Sequence, residues 1–100
     1  MDMYVATYRI VVRPDQRQAF FVCWRTIAEA KRDHCGSAGS QLYAQPDGTH
    51  VVHETWPDKA THEGCRLPDN YAGLDANLRS LCEAWETTGE MELIESVDLA

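Results

Sequence analysis

The chain opens on a run that is apolar on both of its alternating sides. In YVATYRIVV, residues 4 to 12, Tyr4, Ala6, Tyr8, Ile10 and Val12 share one side, and Val5 and Val11 lie on the other. Such a β-branched and aromatic run predicts a strand, and apolar groups on both sides predict cover on both. Arg13-Pro14-Asp15 breaks the run. Asp15 and Gln18 then stand at capping-box spacing, ahead of Phe20, Trp24, Ile27, Ala28 and Lys31 at helical spacing. The predicted helix turns Gln16, Arg17, Glu29 and Arg32 to water and runs to about His34, where Gly36 and Gly39 end it.

Residues 40 to 45, SQLYAQ, and 49 to 56, THVVHETW, flank Pro46-Asp47-Gly48. Proline presets φ and glycine accepts positive φ, so this is a predicted hairpin. Pro57 ends the second strand, and Asp58 is placed to cap a short helix over residues 59 to 66. After Leu67-Pro68-Asp69, the stripe of Tyr71, Leu74, Leu78, Leu81, Cys82 and Trp85 predicts a longer helix from about Asn70 to Thr87. Gly89 is read as its end, and MELIESVDL, Met91 to Leu99, as a last strand.

The expected fold is therefore α+β: a ferredoxin-like βαββαβ domain spanning residues 1 to 100, with a four-stranded antiparallel sheet. Right-handed crossovers put both helical segments on one face. The other face still carries apolar groups, and an identical chain is the economical cover, so a homodimer through the sheet face is expected.

Charge narrows the partners. With 16 acidic and 9 basic residues the formal net charge is −7, which argues against nucleic acid. No apolar stretch is long enough to span a membrane, and MDMYVATYRI lacks a signal peptide's basic start, so no membrane contact is expected and the cytoplasm is the expected compartment. There, Cys23, Cys35, Cys65 and Cys82, with no CxxC pair, read as buried free thiols.

With this order of elements, the chain resembles the antibiotic biosynthesis monooxygenase family of dimeric α+β barrel proteins. Phe20 and Trp24 in the first helix carry the resemblance, together with GSAGSQLYAQPDGTHVVHETWPDKATHEGCR from Gly36 to Arg66. The resemblance covers most of the chain, from about Val5 to Val97. It implies a homodimer whose two sheets form a shared barrel, with a pocket between sheet and helices in each subunit. It also implies oxidation of electron-rich phenolic substrates by molecular oxygen with no metal, flavin or haem cofactor. A fold hosts many functions, so the implication is by analogy.

Trp56 matches the family's pocket-lining tryptophan, and an indole offers a flat wall and one N–H donor; a core tryptophan locking strand to helix is the plain alternative. His62 lies six residues on, where some family oxygenases place an aromatic ring with an ionisable tip. There it could take a phenolic proton, or it could simply be a surface histidine. His50, Val52, Glu54 and Trp56 share a strand face, with His53 opposite. His50 starts the strand and is expected at the surface, whereas Glu54 beside a buried tryptophan would need a partner. Tyr8, Tyr43 and Tyr71 could reach the pocket, Trp24 would line it, and Arg79 could hold an anionic group. No metal is expected, because neither His62 with Cys65 nor His34 with Cys35 makes a four-ligand set.

Two departures from the family stand out. Val52 occupies the position four before Trp56, and the first strand has no asparagine, although several members carry a polar amide on a pocket strand. Arg66 stands where haem-degrading members place a ligating histidine, which disfavours haem degradation. Three functions follow for testing: a cofactor-independent monooxygenase acting on a small phenolic or quinol compound, a non-catalytic small-molecule-binding or dimerisation module, and a redox thiol sensor.

Overall fold

The computed structural model describes residues 3 to 94. Along them run β1 (Met3–Val12), α1 (Arg17–Cys35), β2 (Gly39–Ala44), β3 (His50–Trp56), α2 (Lys59–Glu63), α3 (Leu74–Ser80) and β4 (Cys82–Leu93). The strands form one antiparallel sheet in the order β2-β3-β1-β4. This is the ferredoxin-like α+β arrangement expected from the sequence. Register sets Tyr4 opposite Trp56, Ala6 opposite Glu54 and Tyr8 opposite Val52. The residues that matter below thus share one side of the two central strands.

The core lies between that side and the helices. Phe20, Cys23, Ile27 and Ala30 are the buried stripe of α1, and the first three form one core cluster with Ile10, Val12, Val52, Leu78 and Cys82. Phe20, Ile10 and Trp56 are wholly enclosed. Each such side chain contributes about 1.5–3 kcal/mol by leaving water. Trp24 is half-buried and packs against the edge of this cluster.

The hairpin forms as expected. Gly48 takes φ 88° and donates its N–H to the Gln45 carbonyl at 3.0 Å, while the Thr49 hydroxyl bonds the Asp47 carboxylate at 2.6 Å. Asp58 caps α2 by accepting the Thr61 N–H at 2.7 Å. α2 stops at Glu63, three residues short of the expected end.

Four expectations need correction. Asp15 does not cap α1: Pro14–Gln16 forms a 3-10 turn, and no side chain caps the helix start. Proline at the first position sets helical φ early, so Asp15 lies inside the turn instead of ahead of the helix.

The long helix from Asn70 to Thr87 does not exist. A 3-10 turn (Asp69–Tyr71) and α3 replace its first part, separated by Gly73 at φ 86°, and β4 begins at Cys82. Leu78, Leu81, Cys82 and Trp85 fit helical spacing, but pairing with β1 over the whole length of the strand outweighs it. The β-formers Trp85, Thr87 and Thr88 agree with that outcome. Gly89, read as a helix end, sits inside β4 opposite Thr7 with φ 152°, and accepts the Thr7 hydroxyl at 3.1 Å. The last strand thus starts nine residues before Met91; its expected end at Leu99 lies outside the described residues.

The cysteines divide into two kinds. Cys23 and Cys82 are buried and free, as expected, but Cys35 and Cys65 form a disulfide. The fold brings the end of α1 beside the segment after α2, with Cα atoms 5.2 Å apart. That lies within the roughly 4.4–6.8 Å a bridge spans. The fourth correction is His50, which is buried at 6% exposure because Phe20 and Phe21 close over the start of β3.

Candidate functional site

Glu54 is buried on the helix side of the sheet, with Lys31, Trp56 and His62 around it. A carboxylate on a central strand is costly to bury unless charged or donor groups meet it. Here both oxygens are met. Oε1 accepts the Trp56 indole N–H at 2.8 Å, and Oε2 accepts the Lys31 ammonium at 3.1 Å. Period two along β3 brings Glu54 and Trp56 together, and α1 brings Lys31 over them. The Glu54 side chain is only 7% exposed and that of Lys31 26%, so the pair is screened little by solvent.

His62 enters from α2. Its ring stacks at a tilt on Trp56, centroids 5.2 Å apart, and lies 5.3 Å from the Tyr4 ring. Nε2 is 3.7 Å from Glu54 Oε1 and 3.4 Å from the Tyr8 hydroxyl. Nδ1 is buried and has no hydrogen-bond partner. A carboxylate only accepts, so between the two neutral tautomers it favours the one with hydrogen on Nε2, which leaves the Nδ1 lone pair unused. Burial and then the Glu54 carboxylate push the Tyr8 phenol up to about 12, with Arg79 opposing. Tyr8 is therefore a neutral phenol beside His62 at physiological pH.

Two spaces adjoin this cluster. The larger, about 370 Å³, is bounded by Trp56, His62, Tyr71, Lys31, Leu74 and Cys65 among others. The smaller, about 60 Å³, lies among Tyr8, Trp24, Val52, Glu54, Arg79 and Trp85. Ile27, Lys31 and Asp75 border both. A hollow of about 540 Å³ lies outside Tyr4, among Met3, Lys59, Glu90 and Met91. It meets the buried polar cluster only through Tyr4, so size alone does not select it.

The residues picked from sequence therefore gather around one cluster but face two spaces. Trp56, His62 and Tyr71 bound the larger, and Tyr8, Trp24, Val52, Glu54 and Arg79 the smaller. Tyr71 also meets the His34 ring at 5.5 Å. Arg79 stacks over Trp85 at 4.8 Å and pairs with Asp75 at 3.2 Å, so its charge is engaged within the protein. Tyr43 is excluded from the cluster: it lies on the far face, against His53. His50 faces the helices but sits among Phe20 and Phe21 away from both spaces, and burial, aided by Arg17, pushes its pKa down.

Sequence reasoning missed Lys31 and Trp85 as site residues. A lysine at an inward position of an amphipathic helix is the signal that could have found the first. Trp85 was hidden by the helix expected in place of β4. Among the described residues, no group of three or more His, Cys, Asp or Glu side chains is placed to hold a metal ion. None of the described helices is long and apolar enough to cross a membrane.

No family model matches the chain, and no curated protein matches it by sequence. Its fold is nevertheless shared with many solved structures. SnoaB, a cofactor-independent oxygenase from Streptomyces nogalater, superposes with a TM-score of 0.73 at 16% identity, over 99% of this chain and 98% of its own. A protein from Deinococcus radiodurans, named as a candidate antibiotic biosynthesis monooxygenase, gives 0.72 at 16% identity, over 97% and 98%. Rv0793 from Mycobacterium tuberculosis gives 0.67 at 20% identity, with both chains covered fully. At these identities the likeness is one of fold.

Proposed function

We propose that this chain is a cofactor-independent monooxygenase of the antibiotic biosynthesis monooxygenase type, acting on a small phenolic or quinol compound. The observation that carries the reading is the His62 ring held between Trp56 and Glu54 at the wall of a cavity, with Nδ1 unpartnered. Glu54, fixed by Lys31 and the Trp56 N–H, holds Nε2–H, and Nδ1, buried in the free protein, takes the phenolic proton once a turn of the ring brings it to the substrate. The 3.7 Å separation from Glu54 would shorten as imidazolium forms, since opposite charges then attract. The resulting phenolate is electron-rich enough to give electrons to dioxygen. One oxygen atom enters the substrate as a carbonyl and the other leaves as water, with the substrate supplying both electrons and both protons. Trp56 acts as a wall only, because its N–H is already used by Glu54.

Oxygen uptake with anthrone and naphthol-type compounds tests the reading. Uptake is expected in the wild type and should fall about a hundredfold in His62→Ala, the usual scale for removing a general base. Uptake no greater than that of heat-killed protein with every compound would overturn it.

One observation favours the alternative, a binding module that keeps the fold without the chemistry. Trp24, Val52 and Trp85 narrow the space beside Tyr8 to about 60 Å³, with no strand amide there. Tight binding of a naphthol without oxygen uptake would select it.

We further propose that a second copy of the chain covers the helix-free face of the sheet. Tyr43 and Met91 are each 49% exposed there, beside the half-buried Val5 and Val51. Light scattering should give a dimer in the wild type and a folded monomer in Val51→Lys; a wild-type monomer would contradict the proposal.

A further inference from the structure

We propose that the Cys35–Cys65 disulfide is a redox-sensitive strap that holds residues 64–73 over the candidate site. The regulatory part of this inference rests on the site proposed above; the strap itself does not.

The segment between α2 and α3 forms one wall of the larger cavity, through Cys65, Leu67 and Tyr71 among others. It has little of its own to keep it there. Among the described residues, its hydrogen bonds are all local. Gly64 N–H bonds Ala60 at 2.9 Å, Tyr71 N–H bonds Pro68 at 2.9 Å, and the Arg66 guanidinium bonds the Glu63 and Cys65 carbonyls. No ion pair of the described residues includes a member of this segment. Beyond apolar packing, its ties to α1 among the described residues are the disulfide and the ring contact between His34 and Tyr71, 5.5 Å apart. Both ties come from the last turn of α1. A wall with only local bonds and a single covalent anchor is the kind of segment that opens separately from the core.

The anchor also bears on His62. Cys65 lies three residues after it, and the Cys65 N–H bonds the His62 carbonyl at 3.3 Å. Release of Cys65 therefore loosens the end of the short helix that presents His62 to Trp56 and Glu54. A dithiol can deliver that release. Its thiolate attacks one sulfur to give a mixed disulfide, and the other cysteine leaves and is protonated. The second thiol then closes the reagent's own disulfide, so two electrons pass to the protein. In the reducing cytoplasm expected from the sequence, such a bridge is labile; in an oxidising compartment it persists. Cys23 and Cys82 lie in the core and take no part.

The test compares protein purified without reductant and the same protein after dithiothreitol. Alkylation after denaturation should label two cysteines, Cys23 and Cys82, in the first sample and all four in the second. Reduction of the folded protein should raise tryptic cleavage after Arg66 about tenfold and speed hydrogen exchange over 64–73 and over Lys59–Glu63. The Cys35→Ser/Cys65→Ser double variant should reproduce the reduced pattern; if it fails to fold, reduction of the wild type still decides. Four free thiols in the unreduced protein would overturn the strap. Unchanged exchange over 64–73 after reduction would also overturn it. Opening of 64–73 with Lys59–Glu63 still protected would leave the bridge without a link to the site. None of these readouts needs substrate or turnover, so a failed oxygenase reading would not be mistaken for a failed strap.

Discussion

The two sides of β3 are built from similar residue types and end in different environments. Toward the helices lie His50, Val52, Glu54 and Trp56, all buried; away from them lie Val51, His53 and Thr55, all half-buried. Each side has a histidine and a valine. On the inner side Glu54 is fixed by two donors and Trp56 is fully enclosed. On the outer side the His53 ring lies against the half-exposed ring of Tyr43. The strand's period of two therefore separates a buried polar cluster from a half-buried outer face, the one proposed to meet a second copy.

Substitutions on the two sides should differ in scale. Trp56→Ala removes the largest enclosed side chain and should cost about 3–5 kcal/mol in urea unfolding. A loss below 1 kcal/mol would break the comparison at its strongest point. Lys31→Met takes one of the two donors from Glu54 and should cost about 1–3 kcal/mol, since hydrogen bonds to buried charge are among the stronger ones. Lys31→Arg should recover part of that loss.

His50 gives the comparison a pH dependence. Its ordinary pKa of 6.5 is lowered in the folded protein by burial and then by Arg17. Protonation is easier in the unfolded chain, so the stability gained from neutral His50 is present above pH 6.5 and is lost as pH falls through the folded value. Thermal melts between pH 7 and pH 5 should show a fall in stability that is absent in His50→Leu. The smallest effect should be His53→Ala, which should shift stability by no more than about 0.5 kcal/mol in dilute solution.

The sequence made the central strands legible because their signals are local: a β-branched and aromatic run in β1, the β-rich run of β3 closed by Pro57, and a Pro-Asp-Gly turn between β2 and β3. It misled at β4. There Cys82 and Trp85, three residues apart, satisfy helical spacing and break strand alternation, and only an irregular, long-range pairing with β1 sets them opposite Val12 and Ile10. Glu54, Trp56 and His62 could be placed near one another from period two and the short helix after Pro57. Lys31 could not, because nothing local shows which carboxylate an inward lysine will meet. The disulfide was equally hidden: Cys35 and Cys65 are thirty residues apart in sequence, and only the packing of α1 against the segment after α2 joins them. His50 looked exposed from its place at a strand end, and two phenylalanines from the helix start reversed that.

Oxygen uptake with anthrone, measured for the wild type, Glu54→Gln and His53→Ala together, tests most directly whether the inner side of β3 does the chemistry. The account predicts a rate about tenfold or more below wild type in Glu54→Gln, because His62 loses its charged partner, and an unchanged rate in His53→Ala. Full activity in Glu54→Gln, or an equal loss in both variants, would contradict it.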